Sequence, residues 1–191
     1  MTEASPTRSD FARIRALALD VDGVLTDGGL FLGPDGAEWK RFCFADIMGL
    51  SLARRAGLQI ALISGEDSPL VDQYAAKMRI AFVRKGCREK AAAVREFAAA
   101  SGLDLEEICF MGDDVNDLPA MEITGRCAAP ACAMQAALDR ADLVTQHAGG
   151  NGAVRELVEL ILAARGLSVQ DVYRKPAPEA VNPNLEARPE S

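Results

Sequence analysis

Short apolar runs that alternate with helix-like segments constrain the fold of this chain more than any other feature. The first run, Ala16–Leu19, is apolar without a break and is closed by Asp20, which is typical of a strand buried on both faces of a parallel sheet. Because strands and helices alternate, the chain is predicted to be an α/β protein with a doubly wound, Rossmann-like parallel sheet. Further strands are predicted at 58–63, 80–83 and 108–111, and helices at 46–56, 89–101 and 153–165.

Residues 28–44 depart from this alternation. They contain two extended, aromatic-rich pieces on either side of the turn sequence GPDG at 33–36. This arrangement predicts an antiparallel β-hairpin that protrudes from the sheet. Its apolar side chains either cover the domain's own core or are buried between subunits, and they are Phe31, Leu32, Trp39, Phe42 and Phe44.

The two ends of the chain differ in composition from its middle. Residues 1–13 form a polar leader, and residues 14–166 carry the patterned strands and helices of a single domain. The segment 167–191 is, from residue 176 onward, rich in proline and poor in apolar residues. It is therefore expected to be mobile or to dock on a neighbouring subunit.

The composition of the chain excludes several kinds of partner. Asp and Glu number 28 against 21 Lys and Arg, a formal charge of −7, which argues against nucleic-acid and membrane surfaces and favours a small-molecule partner. No apolar segment is long enough for a signal peptide or a bilayer span, so a cytoplasmic location is expected. The five cysteines include no CxxC pair, and His147 is the single histidine. Any metal must therefore be held mainly by oxygen.

Polar residues follow the predicted strands, where ligands bind in an open parallel sheet. Asp20, Ser64 and Asp113 each come at or near a strand end, with Asp22 two residues further and Lys90 near the start of a helix. Two carboxylates ~4 Å apart repel each other by ~4 kcal/mol at an effective dielectric constant of about 20, so the cluster needs cations. We expect Lys90 to supply one positive charge and Mg²⁺, which prefers oxygen ligands, to supply the rest.

These groups predict phosphoryl transfer. Asp20 is the natural nucleophile, forming an aspartyl-phosphate, while Lys90 and Mg²⁺ offset charge on the phosphoryl oxygens. Asp22 is placed to protonate the leaving group and then to activate the hydrolytic water. Ser64 and neighbouring backbone N–H groups, at Gly23 and Gly65, are expected to hold the remaining phosphoryl oxygens.

Four segments of the chain resemble, in order, the four motifs of the haloacid dehalogenase superfamily of phosphatases. They are LDVDGVLT at 19–26, ISG at 63–65, Lys90 and GDDVND at 112–117. The resemblance extends over 16–165 and implies that Asp20, the backbone carbonyl of Asp22, and Asp113 hold Mg²⁺. It also implies that Asp114 and Asp117 support the metal and the lysine from outside. Because dehalogenases lack the acid/base aspartate, Asp22 points to phosphate esters.

A narrower resemblance concerns the branch that has no cap domain. The stretch 23–64 is filled by the predicted hairpin, a helix and a strand, and the stretch 90–113 by one helix and one strand, so no cap fits in either place. The sequences TDG at 26–28, GPDG at 33–36 and GGNGAVRE at 149–156 are similar to those of phosphatases acting on 3-deoxy-D-manno-octulosonate 8-phosphate. This resemblance implies a homotetramer in which hairpins from different subunits pair.

One departure leaves the substrate open. Octulosonate phosphatases usually have Arg after the Ser/Thr-Gly of the second motif, whereas this chain has Glu66, with Lys77 eleven positions later. This pair is similar to members acting on nine-carbon ulosonate 9-phosphates, although Glu66 could equally be a solvated loop charge and Lys77 an exposed helix residue. A further alternative is a catalytically inert structural domain associated with sugar-nucleotide synthesis. A receiver domain is disfavoured because Asp20 and Asp22 share the first strand end.

Overall fold

A computed structural model describes residues 8–176 of the chain. Its strands are β1 (Ala16–Leu19), β2 (Phe31–Leu32), β3 (Glu38–Trp39), β4 (Gln59–Ile63), β5 (Phe82–Arg84), β6 (Ile108–Met111), β7 (Arg126–Ala129) and β8 (Leu143–Val144). Its α-helices are α1 (Phe44–Arg55), α2 (Pro69–Met78), α3 (Lys90–Ser101), α4 (Leu118–Ile123), α5 (Gln135–Arg140), α6 (Ala153–Ala164) and α7 (Val169–Arg174). Short 3₁₀ helices span Arg8–Arg13, Leu105–Glu107 and Val115–Asp117.

Six parallel strands form the main sheet in the order β5-β4-β1-β6-β7-β8. Strand β1 lies at its centre, where Leu19 is in register with Leu62 of β4 and Met111 of β6. The carboxyl ends of these three strands therefore meet at one edge of the sheet. The predicted doubly wound α/β fold is confirmed.

Both faces of the sheet are covered by helices. Leu17 and Leu19 of β1 belong to one apolar cluster, together with residues of α1 and α6 such as Leu50 and Leu157. The intervening Ala16 and Ala18 belong to a second cluster on the other face, with residues of α3 and α4. Successive side chains of a strand point to opposite faces, so a strand buried on both faces is apolar at every position.

The predicted hairpin is present and protrudes from the domain. Phe31 of β2 is in antiparallel register with Trp39 of β3, and the turn between the strands is closed by the Gly33 N–H donating to the Ala37 carbonyl over 2.7 Å. The side chains of both strands are exposed, with Phe31 at 65% and Trp39 at 55%. Among the described residues, the strands and α-helices between β1 and β4 are the hairpin and α1, and those at 90–113 are α3 and β6. Neither stretch holds a cap domain, as predicted.

The predicted strand at 80–83 begins later than expected. Helix α2 ends at Met78 and is capped by Arg79, whose φ of 53° is left-handed. The Ile80 N–H donates to the Ala75 carbonyl over 2.9 Å. This pattern of bonds closes the last turn of a helix. Ile80, 7% exposed, is therefore part of the helix end, and the strand starts at Phe82.

The described part of the C-terminal segment folds against the domain. Helix α7 begins after Ser168, whose Oγ accepts the Asp171 N–H over 3.1 Å, and it buries Val172 completely. Arg55 of α1 donates to the carbonyls of Tyr173 and Lys175. The expectations for residues 1–7 and 177–191 lie outside the described residues. None of the helices found in the described part of the chain combines the length and apolar character that a membrane crossing requires.

Helix α6 is fixed to α1 by a buried carboxylate. Asp46 of α1 has no exposed surface and accepts the backbone N–H groups of Gly152 (3.1 Å) and Arg155 (3.0 Å) at the start of α6. The two helices also approach closely at Gly49, where a Cβ atom would lie 2.8 Å from the Arg155 Cα. Asp46 thus satisfies N–H groups that have no partner inside α6.

We expect the substitution Asp46→Ala to lower the free energy of unfolding by about 1–3 kcal/mol, because it leaves buried N–H groups unpaired. Chemical denaturation measures this change. The control Asp139→Ala removes an exposed carboxylate on α5 and should change stability by less than about 0.5 kcal/mol. Equal stabilities for the two variants would contradict the role assigned to Asp46.

Candidate active site

The ends of β1 and β6 bring two predicted metal ligands together. Asp20 directly follows β1, and Asp113 comes two residues after β6. One carboxylate oxygen from each of Asp20, Asp113 and Asp117 lies within 4.8 Å of the others. Three carboxyl groups at this separation require positive charge among them.

Lys90 supplies part of that charge. It is the first residue of α3, and its side chain is 1% exposed. Its Nζ lies 3.0 Å from Asp20 Oδ1 and 2.6 Å from Asp117 Oδ1. A buried ammonium is stable only when it is paired and hydrogen-bonded, and here it fixes the position of the Asp20 carboxylate.

Asp117 holds the loop after β6 in place. While Oδ1 receives Lys90, Oδ2 accepts the backbone N–H groups of Asp113 (2.9 Å) and Asp114 (3.2 Å). A Cβ atom at Gly112 would lie 2.4 Å from the Asp117 Cγ, so this approach requires glycine. Both oxygens of Asp117 are therefore engaged by protein groups, which suits the supporting position that was predicted for it.

The electrostatics of the cluster favour a bound cation. Burial raises the pKa of Asp20 to about 8, and burial together with the charge of Asp117 raises the pKa of Asp113 to about 6. Gly23 lets the Asp113 carboxylate approach the backbone, since a Cβ atom there would lie 2.0 Å from Asp113 Oδ2. Asp20 and Asp113 both line a cleft, and carboxylate oxygens that face open space fit Mg²⁺. The side chains of Asp20 and Asp113 would hold the ion.

Asp22 lies at the same edge of the sheet and has a partner that sequence reasoning missed. The Lys40 Nζ lies 2.7 Å from Asp22 Oδ1 and 2.7 Å from Oδ2, and the Thr26 hydroxyl donates to Oδ1 over 3.4 Å. Lys40 directly follows β3 of the hairpin. No spacing rule connects a hairpin residue to the end of β1, so the sequence carried no signal for this pair.

The second motif forms one wall of the site. Ser64 is fully buried, and its Oγ accepts the Glu66 N–H over 3.1 Å. The Ser64 carbonyl accepts the Cys87 N–H over 2.9 Å, which holds the segment before Lys90 against the end of β4. Gly65 and Glu66 face the cleft.

A cleft of about 460 Å³ joins these residues, a size typical of small-molecule sites. The predicted residues among those lining it are Asp20, Asp22, Gly23, Gly65, Glu66, Lys90, Asp113 and Asp114. Sequence reasoning assigned no role to others that line it, namely Asp27, Gly28, Asn116, Cys132 and Met134. Asn116 lies inside the fourth motif, which was the one available signal for it.

Lys77 is not brought to the cleft by the fold of one chain. Its Nζ lies 5.7 Å from the ring centroid of Phe44, over the face of an exposed aromatic side chain. The substrate-binding role predicted for Lys77 therefore has no support from the geometry of a single chain, whereas Glu66 lines the cleft.

Comparisons with known proteins show which family the chain belongs to. The model of the haloacid dehalogenase-like hydrolase family matches residues 72–157. The 3-deoxy-D-manno-octulosonate 8-phosphate phosphatase KdsC of Escherichia coli (strain K12) is 39% identical over 153 residues, which is 80% of this chain and 81% of that protein. The chain belongs to the haloacid dehalogenase-like hydrolases. Its resemblance to their octulosonate phosphatase branch is thereby confirmed.

Two solved structures of haloacid dehalogenase-like hydrolases are similar to this chain. The octulosonate 8-phosphate phosphatase of Yersinia pestis has a TM-score of 0.83 at 32% identity and covers 90% of each chain. That of Moraxella catarrhalis, solved with a magnesium ion, a phosphate ion and a KDO molecule, has a TM-score of 0.81 at 33% identity and covers 83% of this chain and 91% of the other. The whole domain is therefore shared.

The raised pKa values of Asp20 and Asp113 predict how Mg²⁺ binding depends on pH. Both values lie above the ordinary 3.8, so without Mg²⁺ the folded protein retains protons that the unfolded chain has released between about pH 4 and pH 8. Stability without Mg²⁺ therefore falls as the pH rises through this interval. Mg²⁺ competes with these protons, so we expect it to raise the melting temperature more at about pH 8.5 than at about pH 6.

Thermal unfolding with and without Mg²⁺ at both pH values measures this effect. The variant Asp113→Asn should lose the increase, whereas Asp139→Asn, on an exposed helix surface, should keep it. An increase of the same size at both pH values would contradict the proton competition.

Proposed function

We propose that this hydrolase is a Mg²⁺-dependent phosphomonoesterase that acts on 3-deoxy-D-manno-octulosonate 8-phosphate through an aspartyl-phosphate. The substrate is proposed from one observation, the 39% identity to a phosphatase of this ester over 81% of that protein's length. The cluster of Asp20, Asp22, Asp113 and Lys90 at one edge of the cleft carries the chemistry.

The first step transfers the phosphoryl group to Asp20. A carboxylate oxygen of Asp20 forms a bond to phosphorus, and the bond between phosphorus and the sugar oxygen breaks, its electron pair remaining on that oxygen. Asp22 gives its proton to the leaving oxygen, so that the sugar departs as a neutral hydroxyl. Lys90 keeps Asp20 in position from 3.0 Å and offsets negative charge.

The second step returns Asp20 to its starting state. Asp22, now a carboxylate, takes a proton from a water molecule as the water oxygen bonds to phosphorus, and the bond from phosphorus to the Asp20 oxygen breaks. Orthophosphate, a free Asp20 carboxylate and a protonated Asp22 result. When bound at Asp20 and Asp113, Mg²⁺ would neutralise negative charge on the phosphoryl oxygens in both steps.

Backbone groups and Ser64 are proposed to hold the phosphoryl oxygens. Gly23 and Gly65 line the cleft and have no side chain to keep the phosphate away from the backbone. In the structure the Gly23 N–H donates to the Thr26 hydroxyl oxygen over 3.3 Å, so binding phosphate there would replace this bond. Ser64 is buried behind them with its Oγ bonded to the Glu66 N–H, so it also sets the course of this loop. Asp114 lines the cleft, where its proposed role is to support the metal from outside.

A nine-carbon ulosonate 9-phosphate is the second candidate substrate. The observation that favours it is the position of Glu66, which lines the cleft where an octulosonate phosphatase usually has Arg. A carboxylate there can accept hydrogen bonds from the additional hydroxyl group of a longer sugar. The inert structural domain is disfavoured, because the chemically reactive groups are assembled and paired.

The compartment and the assembly are proposals of the same kind. The five cysteines, all within the described residues, are free, which suits the reducing cytoplasm. The hairpin exposes large apolar side chains, a surface that subunit contacts in a homotetramer would bury. The residues concerned are Leu30, Phe31, Leu32, Trp39 and Phe44.

Phosphate release in the presence of Mg²⁺ tests this function. We expect the octulosonate 8-phosphate to be hydrolysed with a higher kcat/KM than 2-keto-3-deoxynononate 9-phosphate, N-acetylneuraminate 9-phosphate or p-nitrophenyl phosphate. Asp20→Asn should abolish release, and Asp22→Asn should slow it by roughly 10²–10⁴-fold for the sugar ester, the usual contribution of an acid/base group.

The matched control Asp139→Asn changes an exposed carboxylate outside the cleft and should keep wild-type activity. Preference for a nine-carbon ester would select the second candidate and give Glu66 a role in specificity. Unchanged activity in Asp20→Asn would rule out the nucleophile.

A further inference from the structure

A buried cation holds the acid/base carboxylate from behind the cleft. The Lys40 Nζ lies 2.7 Å from each carboxylate oxygen of Asp22. The Lys40 side chain is 4% exposed, while that of Asp22 is 30% exposed. Asp22 lines the cleft and Lys40 is not among the residues that do so. The ammonium therefore reaches Asp22 from outside the lining of the cleft.

Lys40 belongs to a short segment that fastens the hairpin to the loop after β1. Arg41 donates from Nε to Asp27 Oδ2 over 3.0 Å and from Nη2 to Asn151 Oδ1 over 2.9 Å. Phe42 forms an isolated antiparallel bridge with Thr26. The segment 40–42 thus contacts the loop at several consecutive points, so Lys40 is held in place by its neighbours as well as by its own ion pair.

The contact restricts how Asp22 can turn. An aspartate side chain rotates about two bonds, and a carboxylate facing solvent occupies several orientations. An ammonium that meets both oxygens from one side removes most of that freedom, and the weaker 3.4 Å contact from Thr26 adds to the restriction. Removing one partner of a largely buried ion pair leaves the other free to reorient.

We propose that Lys40 is a positioning residue that keeps the Asp22 carboxyl group directed at the leaving oxygen of the substrate. The inference rests on the proposed function, because it takes Asp22 as the acid and base of the reaction. Lys40 makes no contact with substrate in this role and acts through Asp22. The base of the protruding hairpin, through Lys40, therefore helps to orient the carboxyl group of Asp22.

The test compares two esters that differ in their need for a proton. The sugar alkoxide leaves only when it is protonated, whereas p-nitrophenolate leaves without help. Lys40→Met should lower kcat for the sugar ester by roughly 10–100-fold, the usual cost of misplacing a reacting group, and should change the rate of the first-turnover burst of p-nitrophenol, a step that needs no acid, by less than about 3-fold. Lys40→Arg, which keeps the charge, should recover part of the lost activity on the sugar ester.

A double substitution distinguishes this role from a general loss of structure. In an Asp22→Asn background, Lys40→Met should change kcat for the sugar ester by less than about 3-fold, because the residue through which it acts is already gone. The matched control is Lys85→Met, which removes a lysine paired with Asp72 over 2.6 Å and should leave kcat for both esters unchanged. Calorimetric titration of Lys40→Met with Mg²⁺ and with inorganic phosphate should give dissociation constants within about 3-fold of wild type.

Several results would overturn the inference. A p-nitrophenol burst slowed as much as kcat for the sugar ester, losses that multiply in the double variant, or unchanged activity of Lys40→Met on the sugar ester would each remove Lys40 from this role. If the wild-type chain hydrolysed neither ester, the proposed function would fail, and this inference with it. The wild-type measurement therefore separates the two failures.

Discussion

The buried ammonium group of Lys90 is the interaction on which the rest of the site depends. A lysine with 1% of its side chain exposed cannot stay charged in an apolar interior without partners, and it finds them in Asp20 and Asp117. These residues come from the end of β1, the start of α3 and the loop after β6. One cation therefore fixes three segments that are far apart in the sequence. One of the groups that it holds in place is the nucleophile, Asp20.

The same constraint explains why glycines surround the site. The carboxylates approach so closely that side chains at Gly23 and Gly112 would collide with Asp113 and Asp117. Close approach concentrates negative charge, which burial makes costly and which raises the pKa values of Asp20 and Asp113. The electrostatics of this chain's own residues therefore favour a bound metal ion, and the affinity for that ion follows from the same arrangement.

The features that could be predicted from the sequence are those that depend on the local order of apolar and polar residues. The apolar run at β1 and the strand at Ile108–Met111 lie where they were predicted, and the order of the motifs placed Asp20, Ser64 and Asp113 at one edge. Contacts set by three-dimensional packing could not be predicted. The Lys40–Asp22 pair depends on how the hairpin folds back over the loop, and the absence of Lys77 from the cleft depends on the direction in which α2 leaves β4.

The central claim is that Asp20 carries the phosphoryl group and that Asp22 is needed to release it. The most direct measurement mixes Asp22→Asn with Mg²⁺ and p-nitrophenyl phosphate in a rapid-quench experiment and locates the phosphate by mass spectrometry. The account predicts a stoichiometric burst of p-nitrophenol and a phosphorylated Asp20, since this leaving group needs no acid and the intermediate lacks its base. The absence of a burst, or phosphate on another residue, would contradict the account.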